Sequence, residues 1–96
     1  MLLRTLAERA TRGIVLKRRL PPEFGGSVLH VAPEIGGLRY WRRNLFKVDS
    51  TLLATVRRLI GPGVALWDIG ANVGLFSFSA AALAGADGYV LAVEAE

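Results

Sequence analysis

A glycine-rich segment between two apolar runs holds the residues whose types and spacing best suit chemistry. The segment Asp68-Ile-Gly-Ala-Asn-Val-Gly74 follows the run VALWDI and precedes residues of helical composition. Glycines in such a turn let the backbone approach a ligand where a Cβ would block it, and the following helix directs its free N-terminal amides into the same space. Glu94 ends the next apolar run, where a carboxylate is placed to accept hydrogen bonds from two vicinal ribose hydroxyls. These residues predict a site for a nucleoside-bearing cofactor.

The spacing within this turn distinguishes two classes of cofactor. A dinucleotide fingerprint requires G-x-G-x-x-G, whereas this chain has Gly70-x-Asn72-x-Gly74 and an acid, Asp68, directly before the turn. A carboxylate there is poorly suited to a pyrophosphate but well suited to the ammonium and sulfonium charges of S-adenosylmethionine. The electrostatics therefore favour the methyl donor, and a nicotinamide-dependent oxidoreductase fragment is a second alternative.

The segment from Trp67 to Glu96 resembles the first two cofactor motifs of class I methyltransferases. It is most similar to the FkbM-type branch, whose pattern is D-x-G-A-N-x-G, a helix, and then G-x-V-x-A-x-E-P. The resemblance implies S-adenosylmethionine as cofactor and methyl transfer to an acceptor, a small molecule or glycan methylated on a hydroxyl oxygen. It implies no metal and leaves the catalytic residues unknown. The cofactor-binding residues that it implies are Asp68, Gly70, Ala71, Asn72, Gly74 and Glu94.

Two departures from that pattern bear on activity. Ala95 stands where the family has a proline after the ribose-binding acid, and the chain ends two residues after Glu94. In the family's fold, further strands carry the adenine contacts, the acceptor pocket and any general base. The resemblance therefore predicts an N-terminal fragment of a longer enzyme that is inactive alone.

The elements around the site follow an α/β pattern. The unalternating apolar run over 64–69 is typical of a parallel strand buried on both faces. A helix over 75–83 with Gly85 at its C-cap and a second strand over 89–93 complete one βαβ unit with parallel strands. The fold class we expect is α/β, the first βαβ unit of a Rossmann-like class I methyltransferase fold preceded by a basic helix and hairpin segment. Such a unit leaves one sheet face and one strand edge uncovered, which predicts marginal stability or association through the edge after Glu94.

Charge divides the chain into two segments. Residues 1–60 hold all twelve Lys and Arg against four acids, a net charge of +8, whereas residues 61–96 carry only four acids. We therefore expect a basic N-terminal segment over 1–60 and the start of a Rossmann-like domain over 61–96. The patterns predict these N-terminal elements: a helix within 1–20 that Pro21–Pro22 ends, a strand over 27–32 paired with 38–41, and a helix over 49–60 capped by Asp49 or Ser50.

Composition excludes several classes of protein. The chain has no cysteine, which excludes a disulfide scaffold and a thiolate zinc site. Apolar residues make up 52% and charged residues 21%, which is not the composition of a disordered chain. The longest apolar stretch, 74–86, is too short to cross a bilayer, and the N-terminus lacks the apolar core of a signal peptide. We expect a cytoplasmic protein without a transmembrane segment.

Other candidate residues have less specific interpretations. The basic and aromatic residues at 40–43 and Lys47 could hold phosphate or nucleic acid, but a solvated rim with its aromatics in the core is favoured, so nucleic acid is not an expected partner. His30, the one histidine, is interpreted as a strand residue rather than a general base. The bland interpretations of the two acids are that Asp68 only caps a helix and that Glu94 is a solvated charge at a strand end. The first alternative function is a non-catalytic remnant or an interaction module that packs onto another chain.

Overall fold

The N-terminal part of the chain contains a helix followed by a two-stranded antiparallel sheet. The computed structural model describes residues 2–33 and 37–94. Helix α1 spans Leu2–Ala10, strand β1 spans Leu16–Arg19 and strand β2 spans Val28–Val31. The strands pair with Leu16 opposite Val31, and between them Pro22–Phe24 forms a 3₁₀ helix. This sheet contributes Leu29 and Val31 of β2 to the core.

Two of the N-terminal predictions are wrong. The first helix ends at Ala10 instead of continuing to the proline pair, because Gly13 takes a left-handed φ of +84° and the chain then extends into β1. The predicted partner of β2 is also wrong, since Leu38–Trp41 forms a 3₁₀ helix and β1 takes its place beside β2. Gly25, whose φ is +90°, turns the chain so that β1 and β2 can pair.

Two helices then follow, each with a side-chain cap. Helix α2 spans Leu45–Val48, and helix α3 spans Ser50–Leu59. The Leu52 amide donates to Asp49 Oδ1 at 3.0 Å, so the predicted Asp49 cap is confirmed. Leu53 and Val56, on the inner face of α3, are completely buried.

The C-terminal part is a β-α-β arrangement with parallel strands, as predicted. Strand β3 spans Ala65–Ile69, helix α4 spans Leu75–Ala84 and strand β4 spans Tyr89–Val93. Ala65 lies opposite Tyr89 in the parallel register. Gly85 caps the C-terminus of α4 with a φ of +70°, as its position after the helix predicted. The described residues therefore form a small α/β domain with two small sheets and four α-helices.

A single cluster of buried side chains joins the two parts of the chain. It packs the first sheet, the 3₁₀ helices, α2 and α3 against α4, and the approach is close enough that a Cβ on Gly25 would lie 2.9 Å from Ala82 Cβ. This packing brings the Leu38–Trp41 helix toward the end of β3. The ten members of the cluster are Leu20, Phe24, Leu29, Val31, Tyr40, Leu45, Leu53, Val56, Leu75 and Ala80.

The outer face of the β3–β4 sheet is uncovered within the described residues. Trp67 is 72% exposed and lies opposite Leu91, and Ile69 is 70% exposed and lies opposite Val93. Burial of β3 on both faces is therefore wrong, whereas the expected uncovered sheet face is present. Within the same residues, no helix is both long and apolar enough to cross a bilayer.

Candidate site at the carboxyl ends of the parallel strands

The turn after β3 is tied to the end of β4 by its backbone. The amides of Gly70 and Ala71 both donate to the carbonyl oxygen of Val93, at 2.7 Å and 3.0 Å. Gly70 has a φ of +80° and Asn72 a φ of +56°, a left-handed conformation that Gly and Asn adopt more readily than other residues. The sequence therefore folds into a turn whose shape depends on these residue types.

Gly74 closes the turn for a different reason, which is space. Its φ is +92°, and a Cβ there would lie 2.8 Å from the ring of Phe78, one turn into α4. Glycine lets α4 start directly from the turn, without a side-chain cap on its first amides. Gly74 therefore supports the site by joining the turn to α4, and it does not line the pocket described below.

The two predicted carboxylates are each held by one hydrogen bond. Ser77 Oγ, on the first turn of α4, donates to Asp68 Oδ2 at 2.6 Å, and Ser77 is buried. The backbone amide of Asn72 donates to Glu94 Oε1 at 2.8 Å. Each bond engages one carboxylate oxygen, and among the described residues no other hydrogen bond is made to either carboxylate. Both groups can therefore accept further hydrogen bonds without giving up their anchors.

A pocket of about 260 Å³ opens beside the turn. It brings together four of the six residues that the sequence predicted as cofactor-binding, whereas Glu94 lies next to it through its contact with Asn72. Five further lining residues were not predicted to bind a cofactor. The nine residues lining it are Arg39, Tyr40, Leu52, Asp68, Gly70, Ala71, Asn72, Leu75 and Phe76.

Arg39 and Tyr40 reach the pocket because a buried arginine holds their helix in place. Arg18 Nε donates to the carbonyl oxygen of Tyr40 at 2.6 Å, and Arg18 Nη2 donates to that of Trp41 at 3.2 Å. Gly37 starts this 3₁₀ helix at a point where a Cβ would lie 2.5 Å from a methyl group of Val31. No motif spacing indicated the two Arg18 hydrogen bonds, because they join residues more than twenty positions apart.

The charged groups lining this pocket are Arg39 and Asp68. Arg39 Nη1 lies 3.6 Å from Asp49 Oδ2, and its guanidinium carbon lies 5.3 Å from the centre of the Tyr40 ring. Burial raises the pKa of Tyr40 above its ordinary value of 10.0, although the neighbouring Arg39 acts to lower it. The phenol is therefore neutral at physiological pH, and the pocket contains one cation and one anion.

A second pocket of about 390 Å³ adjoins the first on the side of α1. Arg39 and Asn72 line both pockets, and Arg4 and Leu38 complete the lining of the second. Arg4 forms an ion pair with Glu8 at 2.8 Å on α1, so its charge is already partly balanced. The two pockets are therefore neighbours on either side of Arg39 and Asn72.

Of the remaining sequence candidates among the described residues, Tyr40 alone lines one of these pockets. His30 is exposed on β2, opposite Lys17. Of the basic and aromatic residues at 40–43, Tyr40 is buried as expected, whereas Trp41 is 54% exposed instead of packing in the core. Over residues 2–33 and 37–94, no group of three or more side chains is suited to hold a metal ion. The sequence matches no protein-family model, and comparisons with curated proteins and with solved structures also give no match.

Proposed function

We propose that this chain binds S-adenosylmethionine and belongs to an FkbM-type methyltransferase that methylates a hydroxyl group of a small-molecule or glycan acceptor. The observation that carries the proposal is the position of Asp68 in the pocket formed by the turn. Ser77 holds one oxygen of this carboxylate, so its charge has a fixed position beside the space where a ligand would lie. When bound, the cofactor supplies a methyl group on a positively charged sulfur atom, and a nearby carboxylate attracts such a cation.

Glu94 supports the nucleoside half of the same proposal. Its Oε1 is held by the Asn72 amide, and the side chain is exposed at the end of β4. A carboxylate fixed in this way can accept from the vicinal hydroxyls of a ribose with its other oxygen. Asp68 and Glu94 would thus contact opposite halves of one extended ligand across the turn.

The pocket volume agrees with this division of the ligand. About 260 Å³ lies slightly below the roughly 300–1,000 Å³ that encloses a drug-sized molecule. It suits the amino-acid half of the cofactor, while the nucleoside would extend along the turn toward Glu94. Methyl transfer to a hydroxyl also requires alignment and a general base. Asp68 is the one carboxylate that lines the pocket among residues 2–33 and 37–94, and the proposal assigns it to the cofactor. We therefore expect binding without turnover from this chain.

Calorimetric titration with S-adenosylhomocysteine tests the proposal. We expect the full chain to bind, and Glu94→Gln to weaken binding by about 1–3 kcal/mol because the ribose loses a charged hydrogen-bond partner. Asp87→Asn is the matched control, because it removes an exposed acid of the same β-α-β arrangement away from the pocket. Unchanged affinity in Glu94→Gln would refute the ribose assignment. Preferential binding of NADH would refute the cofactor class.

A second candidate function rests on the uncovered sheet face. We propose, as the alternative, an interaction module that pairs with a second copy of this chain through Trp67, Ile69, Tyr89, Leu91 and Val93. These side chains are contiguous in the parallel register and expose on the order of 500 Å² of apolar surface. Two such faces together would bury on the order of 1,000 Å², which is about the minimum for a specific interface.

Sedimentation equilibrium distinguishes this module from a monomer. We expect a concentration-dependent dimer that Ile69→Thr weakens, because a hydroxyl would replace part of the apolar contact while strand propensity is kept. Leu3→Thr is the control, since Leu3 is 82% exposed on α1 and lies outside the face. A wild-type chain that remains monomeric at all concentrations would exclude the module.

A further inference from the structure

The pocket beside the turn combines opposite charges from two distant parts of the chain. Asp68 comes from the end of β3, and Arg39 comes from the Leu38–Trp41 3₁₀ helix on the other side of the pocket. The neutral Tyr40 and apolar residues such as Leu52 and Phe76 form much of the remaining lining. A ligand that satisfies both charges must itself carry a cationic and an anionic group.

The guanidinium of Arg39 forms an ion pair with Asp49, but it retains N–H donors for a ligand. Arg39 directly precedes Tyr40 and Trp41, and the carbonyl oxygens of these two residues accept hydrogen bonds from the buried Arg18. Asp49 contacts one terminal nitrogen, Nη1, at 3.6 Å, and about half of the Arg39 side chain is exposed. A guanidinium carries five N–H donors in a planar fork that matches a carboxylate, so the pair with Asp49 orients the group without exhausting it.

We propose that Arg39 and Asp68 form a subsite for an α-amino-acid zwitterion, in which Arg39 binds the ligand's carboxylate and Asp68 its ammonium group. The proposal rests on the proposed function and deepens it, because the methionyl end of S-adenosylmethionine is such a zwitterion. It assigns to Arg39 the recognition of the donor's carboxylate, and to Asp49 the positioning of Arg39. A pyrophosphate fits the same pocket poorly, since Arg39 would attract it while Asp68 repels it.

Ligand truncation tests this assignment without any change to the protein. The wild-type chain is titrated with S-adenosylhomocysteine, with its decarboxylated analogue, and with 5′-methylthioadenosine, which retains the nucleoside and sulfur but lacks the amino-acid end. We expect the decarboxylated analogue to bind about 10- to 100-fold more weakly than the parent, as for the loss of a charge-assisted hydrogen-bonded pair. Equal affinities for these two ligands would overturn the proposal.

Variants then locate the carboxylate contact on Arg39. We expect Arg39→Gln to weaken S-adenosylhomocysteine binding by about 10- to 100-fold while leaving 5′-methylthioadenosine binding unchanged, and Arg39→Lys to recover part of the loss. Arg57→Gln is the matched control, because Arg57 is also an exposed arginine that pairs with an acid, Glu23, and lies over an aromatic ring, but it does not line the pocket. We expect this control to bind both ligands as the wild type does.

The outcomes separate the subsite from the cofactor assignment. If the wild type binds neither S-adenosylhomocysteine nor 5′-methylthioadenosine, the proposed function fails and the subsite fails with it. If both ligands bind the wild type and Arg39→Gln weakens both equally, Arg39 has a structural role and only the subsite is overturned. If Arg39→Gln changes neither affinity, the carboxylate is bound elsewhere, which also overturns the subsite alone.

Discussion

Replacing Arg18 with methionine tests how the pocket acquires residues from the N-terminal segment. Arg18 is 8% exposed, and it donates to three carbonyl oxygens, those of Lys17, Tyr40 and Trp41, at 2.8 Å, 2.6 Å and 3.2 Å. Arg18→Met keeps an unbranched apolar side chain that reaches as far as Nε of the arginine, but it removes all three hydrogen bonds. The carbonyl of Tyr40 loses the shortest of them at a buried position.

The magnitude follows from two opposing effects. Hydrogen bonds from a charged donor contribute about 1.5–3 kcal/mol each, but removing a buried charge also relieves its desolvation cost. The Lys17 contact is local and competes with water, so we count mainly the two bonds to the 3₁₀ helix. The expected loss in the free energy of unfolding is about 2–3 kcal/mol, a large share of the roughly 5–15 kcal/mol that stabilises a typical domain.

Urea denaturation followed by circular dichroism measures this loss. Arg43→Met is the control, because Arg43 is an exposed arginine with no hydrogen bond or ion pair among the described residues. We expect the control to lie within about 0.5 kcal/mol of the wild type, as surface substitutions usually do. A loss in Arg18→Met no greater than in the control would refute the argument that Arg18 holds the 3₁₀ helix.

Two serines on α4 and one buried tyrosine give further expectations. Ser79→Ala should leave the free energy of unfolding unchanged or raise it by up to about 1 kcal/mol in urea denaturation, since the buried Ser79 Oγ has no hydrogen-bond partner among the described residues. Ser77→Ala should lower it by about 1–2 kcal/mol in the same measurement, because Asp68 loses its 2.6 Å donor. Burial raises the pKa of Tyr40 above its ordinary value of 10.0. At a pH just above 10, the Tyr40 phenol therefore keeps its proton in the folded chain, whereas the unfolded chain has lost it. The free energy of unfolding should therefore fall as the pH rises through and above about 10, and this fall, measured by denaturation at several pH values, should be smaller in Tyr40→Phe than in Tyr89→Phe.

The elements that could be predicted from sequence are those specified by local chemistry. The β-α-β arrangement follows from apolar runs broken by glycines, and the structure places its second strand at Tyr89–Val93 as the pattern indicated. The glycine turn and the Asp49 cap also depend on residues within a few positions of each other. Four of the predicted cofactor-binding residues consequently line one pocket, because a correctly predicted strand and helix position them.

The elements that could not be predicted depend on contacts between distant residues. The basic run at 16–19 resembles the end of a surface helix, yet it forms β1 and buries Arg18. That burial is favourable only because carbonyls more than twenty positions away accept its hydrogen bonds. The same contacts hold the 3₁₀ helix that carries Arg39 beside the pocket. Neither the spacing of Arg39 nor its neighbours in sequence could therefore have indicated a role in the site.

The distribution of the core predicts that the β-α-β arrangement depends on the N-terminal segment. Of the ten buried residues in the main cluster, only Leu75 and Ala80 belong to residues 61–96. Two strands and one helix with so little buried apolar surface cannot offset the entropy of ordering the chain. We therefore expect residues 61–96 expressed alone to show no cooperative thermal transition by circular dichroism, while the full chain shows one. A cooperative transition in the short fragment would mean that the cofactor turn is stabilised without Arg39 and its supporting helix, and the argument that the two segments build one site would fail.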